Sequence, residues 1–206
     1  MHSTSTIAPV SAPPAVTKKH SVWRTSIRFT IVTTVLVGIG YPLLVTGIAG
    51  ALFPRKAAGS LILKDGQVIG SELLAQSFTS DKYFHPRPSA AGNGYDATSS
   101  GGSNLGPSNK ALIDRIQGSI DKLSAENPGK PVPIDLVTTS GSGLDPDITP
   151  DSAYFQAPRV AKARGVTEER IRQLIDEHTT GRQLGFLGEP RVNVLDLNLE
   201  LDKLSK

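Results

Sequence analysis

The chain has 206 residues, no cysteine and a formal net charge of +3. Without thiols it has no disulfide, no thiolate zinc site and no thiol nucleophile. Met1 to Arg28 holds Lys18, Lys19, Arg24 and Arg28 and no acid, and these four charges against a total of +3 leave −1 for the rest. The basic balance is thus a property of the tail and gives no support to nucleic-acid binding, which needs a basic face on the folded part.

Met1 to Thr17 is rich in Ser, Thr, Pro and Ala and predicts a disordered tail. From Phe29 to Pro54 no side chain is charged at neutral pH. At about 1.5 Å per residue, a helix of that length crosses a hydrocarbon core of roughly 30 Å. Ala49-Gly50-Ala51 offers a signal-peptidase pattern, but secretory apolar regions run only about 7–15 residues, so an uncleaved anchor is expected. Basic residues before the span favour a cytoplasmic tail, although Arg55 and Lys56 at the far end weaken the bias. The expected organisation is a cytoplasmic tail over 1–28, a single transmembrane helix over 29–54 and an extracytoplasmic domain over 55–206.

Within the span, Thr34 and Gly38, and Gly47 and Ala51, are four apart. Small residues at that spacing let another helix approach closely. Gly38, Pro42, Gly47 and Ala51 are therefore the candidate packing residues, and Pro42 is expected to bend the helix. A single uncharged helix encloses no aqueous path, so any ion crossing belongs to another subunit.

After the span, Leu61 to Gly70 reads as a hairpin turning at Asp65-Gly66, and Ser71 to Phe78 as a short helix. Thr79 to Pro107 is a long Gly/Ser/Pro/Asn/Asp segment that Tyr83, Phe84 and Tyr95 could pack. Leu112, Ile113, Ile116, Ile120 and Leu123 recur at helical spacing and predict an amphipathic helix over Ser108 to Asn127, ended by Pro128 and Gly129. Ile134 to Thr139 is a short apolar element of either type, and Ser140 to Asp151 a second loop. Ala153 to Ala163 looks helical, but Pro158 predicts two short pieces. Thr167 caps a helix running to His178, with Glu168 and Glu169 in its first turn. Leu195, Leu197, Leu199 and Leu201 alternate with polar residues, so Arg191 to Leu201 predicts a half-buried strand. The fold class is one N-terminal transmembrane helix plus a loop-rich mixed α/β, or α+β, domain.

No stretch completes a catalytic or metal motif. Asp145 to Asp151 resembles a calcium loop but has Pro150 where glycine is needed and Gln156 where the acid belongs. His85 lacks partners at zinc-ligand spacing, and Gly141-Ser142-Gly143 is not a nucleophile elbow. Gly129-Lys130 is not a phosphate loop. The stretches Gly101 to Gly106 and Gly141 to Gly143 could offer backbone donors to an anion, or be ordinary turns. A membrane-anchored extracytoplasmic hydrolase is the alternative reading. It needs a converging nucleophile, base and orienter that these patterns do not display.

Several pieces in one order are nevertheless specific: Tyr41-Pro42-Leu43, Thr46-Gly47, Phe53-Pro54, Gly59-Ser60-Leu61, Gly70-Ser71, Tyr83-Phe84-His85-Pro86-Arg87-Pro88-Ser89-Ala90 and Gly102-Ser103-Asn104-Leu105-Gly106-Pro107. They continue in Asp135-Leu136-Val137-Thr138, Ser140-Gly141-Ser142-Gly143-Leu144-Asp145-Pro146, Gln156, Arg159-Val160-Ala161 and Gly188-Glu189-Pro190-Arg191-Val192-Asn193-Val194-Leu195. In these the chain resembles the C subunit of the Kdp-type potassium-transporting ATPase. Ala75 and Asp147 depart from it, standing where glycine and histidine are expected.

The resemblance implies a non-catalytic accessory subunit in a bacterial inner-membrane complex. It would have no cofactor of its own, while the complex uses ATP and potassium. The implied partners are a multi-span potassium-binding subunit and a P-type ATPase subunit. The role implied is in assembly, and in raising ATP affinity as a catalytic chaperone. Within the matching pieces, His85, Arg87, Ser103, Asn104, Ser142, Asp145, Gln156 and Arg159 are the candidates for interface or nucleotide contacts.

Overall fold

The computed structural model describes residues 21–204. The tail predicted to be disordered, Met1 to Thr17, lies outside them. The chain divides into two units, parting between Ala57 and Ala58.

The first unit is one long helix, Val22–Leu52, apolar enough over its length to cross a membrane. It begins before Phe29, so Arg24 and Arg28 sit on its first turns. It comprises α1 (Val22–Thr33), a π-helical stretch (Thr34–Gly40) and α2 (Tyr41–Leu52), with no residue buried. The widened stretch ends next to Pro42, and Tyr41 N–H donates five residues back, to Leu36 O. Proline cannot donate and its ring crowds the preceding turn, and one wide turn relieves both effects without ending the helix. A short α3 (Pro54–Ala57) closes the unit.

The second unit opens with an antiparallel hairpin, β1 (Leu61–Lys64) and β2 (Gln67–Ser71). Asp65 and Gly66 have φ of +52° and +78°, the paired left-handed conformations that a two-residue hairpin turn needs. The helix expected from Ser71 does not form. Ser71 Oγ instead accepts the Leu73 N–H at 3.1 Å, and the Ala75 N–H leaves to bond Leu144 O at 3.0 Å. A serine hydroxyl competing for nearby backbone favours such a turn over a helix.

Residues 72–109 carry neither helix nor strand. Phe84, one of the three aromatics expected to pack this segment, is fully buried. Then come α4 (Lys110–Glu126), capped by Asn109 through the Ala111 N–H, and a single 3₁₀ turn at Ile134–Leu136. Next is β3 (Asp147–Ile148), followed by α5 (Pro150–Arg164) and α6 (Glu168–Glu177). The Thr167 cap accepts from the Arg170 N–H, as the sequence predicts.

Two further expectations are corrected. α5 is one helix with Pro158 inside it, not two pieces. Its N-terminus is fixed by Thr149, which accepts from the Ser152 N–H, and Ala153, Ala157, Val160 and Ala161 are buried along its length. Packing of that stripe outweighs the one backbone bond that proline removes. The second correction concerns Arg191 to Leu201. Only β5 (Arg191–Asn193) is a strand, and α7 (Val194–Leu204) follows at once. Asn193 Oδ1 accepts the Asp196 N–H at 3.1 Å, which caps the new helix. Val194, Leu197 and Leu201 then fall on one buried face at helical spacing.

With β4 (Thr179–Thr180), a three-stranded antiparallel sheet runs β3-β5-β4. The core joins this sheet to α5, α6 and α7 through Ile148, Val160, Ile171, Ile175, Val192, Leu197 and Leu201, with Phe84 inserted from the irregular segment.

Candidate functional site

The irregular segment is fastened by side-chain amides that read its backbone. Asn198, on the buried face of α7, accepts the Phe84 N–H at 2.8 Å and donates to Phe84 O at 3.0 Å. One residue on, Gln156 of α5 does the same for His85, at 2.8 and 3.1 Å. Neither an adjacent strand nor a helix satisfies this backbone, so the two amides replace a sheet partner.

Arg159, one helical turn after Gln156, completes the cluster. It donates to Asp81 O at 2.8 Å, Tyr83 O at 3.1 Å and Gln156 Oε1 at 2.8 Å. Its Nε lies 3.8 Å from a Glu126 carboxylate oxygen. Burial lowers the Arg159 pKa, against the opposing pull of Glu126 and Asp81. The His85 ring is held through Nε2 at 3.1 Å from Ser80 O. Burial, and then the Arg159 charge, push the His85 pKa below the ordinary histidine value. His85, Gln156 and Arg159 line a hollow of about 170 Å³ with Lys122 and Glu126, smaller than the roughly 300–1,000 Å³ of ordinary ligand pockets.

The lowered His85 pKa has a definite sign. The folded chain holds this proton less tightly than the unfolded chain does. The stability from the neutral ring is complete above about pH 6.5, the free value, and is lost as pH falls through the lower folded value. In melting curves of the detergent-solubilised chain, His85→Asn should flatten the decline between pH 6.5 and the onset of carboxylate protonation. An unchanged acid limb would contradict this origin.

Arg87 and Asp145 form a second cluster. Arg87 Nη1 lies 3.1 Å from Asp145 Oδ2, and Nη2 reaches Thr138 Oγ1 and Thr139 O, each at 3.4 Å. They border a hollow of about 280 Å³ with Asp147 and Arg191. Burial raises the Asp147 carboxyl, and Arg191, with Nε 2.9 Å from Oδ2, opposes the rise. The position expected to be histidine thus holds an arginine-paired acid, a pairing that an imidazolium cannot make.

Ser142 is exposed and accepts the Leu144 N–H at 3.1 Å. The Gly101 N–H donates to Ser142 O at 2.8 Å and the Gly143 N–H to Ser140 O at 3.3 Å. Two of the backbone donors proposed for an anion are thereby engaged within the chain. Ser103 is half-buried, and Asn104 is exposed with a φ of +51°.

A hollow of about 880 Å³ between Pro131, Pro133, Tyr154, Pro158 and Arg172 contains none of the predicted site residues.

Sequence reasoning missed three groups. Asn198 was hidden by the strand reading of its segment. Asp135 accepts from Thr149 N at 2.8 Å and from the Ser152 hydroxyl, a buried carboxylate at the start of α5, where the helix dipole favours it. Arg164, its side chain 5% exposed, pairs with Asp202 at 3.0 Å, donates to Leu201 O and Lys82 O, and stacks 5.0 Å over the Tyr83 ring. Asp135 stood inside a quoted motif, but no local pattern signals its long-range partners.

Comparison with known proteins gives one consistent result. A sequence model of the family described as "K+-transporting ATPase, c chain" matches residues 23–203. A potassium-transporting ATPase KdpC subunit from Koribacter versatilis is 58% identical over 178 residues, covering 86% of this chain and 92% of the relative. Subunits of the same name from Rhodopseudomonas palustris and Acidobacterium capsulatum are 58% and 59% identical, covering 87% and 88% of this chain and 96% and 97% of their own lengths. The chain therefore belongs to the c-chain family of potassium-transporting ATPases.

Proposed function

We propose that the chain is a non-catalytic accessory subunit of an ATP-driven potassium uptake complex. Its helix packs on a multi-span potassium-binding subunit, and it acts on a P-type ATPase subunit of the same complex. The N-terminus is cytoplasmic and the folded domain extracytoplasmic. That topology keeps the domain away from cytoplasmic ATP. An influence on ATP affinity is then a coupling free energy carried by the membrane helices rather than a shared nucleotide site. The bias of Lys and Arg toward the start of the span supports the orientation.

The observation that carries the non-catalytic reading is where the polar groups point. The rings of His85 and His178, the described histidines, bond the carbonyls of Ser80 and Leu174. Gln156 and Arg159 are occupied by the chain's own backbone and by each other. A serine- or threonine-type hydrolase needs the ring's other nitrogen on a nucleophile, and among the described residues no hydroxyl is hydrogen-bonded to either ring.

Helix packing is open to a direct test. A Cβ built at Gly47 meets nothing within 4 Å, so a larger side chain there leaves the chain's own fold intact. Gly47→Leu should lower recovery of partner subunits with the tagged chain by roughly fivefold, for a loss of about 1 kcal/mol of helix packing. The same substitution at Ala51 should act alike. Unchanged recovery for both would exclude this face.

A further inference from the structure

We propose that the main-chain carbonyl of Val37, left without a donor inside the membrane helix, accepts a hydrogen bond from a hydroxyl or amide side chain on a transmembrane helix of the potassium-binding subunit. The inference rests on the accessory-subunit reading and deepens it, naming one polar contact in the helix packing.

The missing donor follows from the register of the π-helical stretch. In an ordinary α-helix Val37 O would receive the Tyr41 N–H, but that N–H is engaged with Leu36 O, five residues back. In the wider register Val37 O belongs to the N–H of residue 42, and residue 42 is proline, which has none. Side chains of the same helix do not substitute. A Ser or Thr hydroxyl reaches the carbonyl three or four residues before it, as Thr33 Oγ1 does to Phe29 O at 2.7 Å. The positions that would serve Val37 O in this way hold Gly40 and Tyr41. Glycine has no side chain, and the tyrosine hydroxyl stands a ring's length away from its own backbone.

Depth then selects the donor. Val37 is the middle residue of the 31-residue apolar helix and lies in its uncharged stretch. In hydrocarbon an unpaired backbone group is costly, and irregular backbone at that depth persists only against protein or a water-filled path. Lipid tails carry no donor, and the donors of lipid headgroups lie at the interface. A neighbouring transmembrane helix does reach this depth, and helices in membranes hydrogen-bond one another through Ser, Thr, Asn and Gln. A charged donor is less suited, because its own charge would be costly there. Gly38 and Gly40 lie close to Val37 along the chain and carry no side chain to screen the carbonyl. A Cβ built at Gly38 would meet nothing nearer than Thr34 Cγ2 at 3.7 Å, so the helix leaves room there for a partner to approach.

The test reads that carbonyl directly. Val37-Gly38 is the only Val-Gly pair in the sequence. The full chain labelled with carbonyl-carbon-13 valine and nitrogen-15 glycine therefore has one doubly labelled peptide bond, which solid-state NMR selects. The labelled chain is measured in lipid bilayers by itself and after assembly with unlabelled partner subunits prepared without it. The expected result is a downfield move of the Val37 carbonyl resonance on assembly, with no magnetisation transfer from water. Pro42→Ala is the internal reference. It returns an N–H to the helix, and Val37 O then has a donor in either register. Its resonance should already lie downfield in the chain alone and stay there on assembly. Assembly that leaves the unaltered chain's resonance in place would overturn the inference while the subunit reading stands. Transfer from water to the carbonyl in the complex would also overturn it, because water would then be the donor. If the labelled chain captures no partner subunit, the subunit reading fails and takes this inference with it.

Discussion

Gly143→Ala is expected to destabilise the folded domain by about 2–5 kcal/mol, lowering its melting temperature by roughly 10 °C. Gly143 has a φ of +67°, where a β-carbon costs about 1–2 kcal/mol. The added methyl would also lie 2.6 Å from Gly101 O and 2.7 Å from Ala91 N. Both atoms are backbone, so no flexible side chain can move aside. The damage should reach the neighbouring loops, because Ser89 Oγ donates to Gly143 O at 2.6 Å and accepts from Tyr95 N at 2.8 Å. Gly141→Ala is the internal control. It is exposed, and its Cβ would meet nothing within 4 Å, so its effect should stay within about 0.5 kcal/mol. Thermal melts of the two variants side by side decide the matter. Equal melting temperatures would mean that residues 89–101 do not close on the Ser140 to Leu144 turn.

Asn198→Leu should cost a similar amount for a different reason. The substitution keeps volume but removes both partners of Phe84, leaving a buried N–H and a buried C=O unpaired. Each orphaned group costs about 1–3 kcal/mol, so a loss of about 2–5 kcal/mol is expected, read from the denaturant midpoint at unchanged slope. Asn198 is 1% exposed, which keeps water from replacing the lost bonds. A stability change below about 1 kcal/mol would show that the Phe84 backbone finds other partners. Because the same amide holds the segment that leads to His85, the variant should also loosen the His85, Gln156 and Arg159 cluster.

The contrast between these positions explains how far the sequence could be read. Local chemistry was legible. Asp65-Gly66 demands a hairpin turn, and Thr167 followed by two glutamates demands a helix start. Both are found. Alternation in Val192 to Leu201 was misleading, because Asn193 caps a helix there and turns a period of two into a helical face. The same segment read at helical spacing would have placed Asn198 beside Leu197 and Leu201 in the core. Pro158 misled for the opposite reason, since a local breaker was overruled by the burial of Ala157, Val160 and Ala161 around it.

The candidate site was less accessible. His85, Gln156 and Arg159 entered through a resemblance, and the structure brings them together across more than seventy positions. No spacing rule connects a side-chain amide on one helix to the backbone of a distant irregular segment. Asp135 and Arg164 were missed for the same reason, because the backbone, hydroxyl and carboxylate groups that partner them lie far along the chain, from Thr149 for Asp135 to Lys82 and Asp202 for Arg164.

The most direct test of the proposed role is the ATP dependence of hydrolysis by the purified complex, with and without this chain, beside the purified chain alone. A non-catalytic coupling subunit predicts no turnover by the chain alone. It also predicts a higher ATP concentration at half-maximal hydrolysis when the chain is left out, about tenfold for a coupling of about 1.4 kcal/mol. Turnover by the chain alone, or an ATP dependence that does not change without it, would contradict that role.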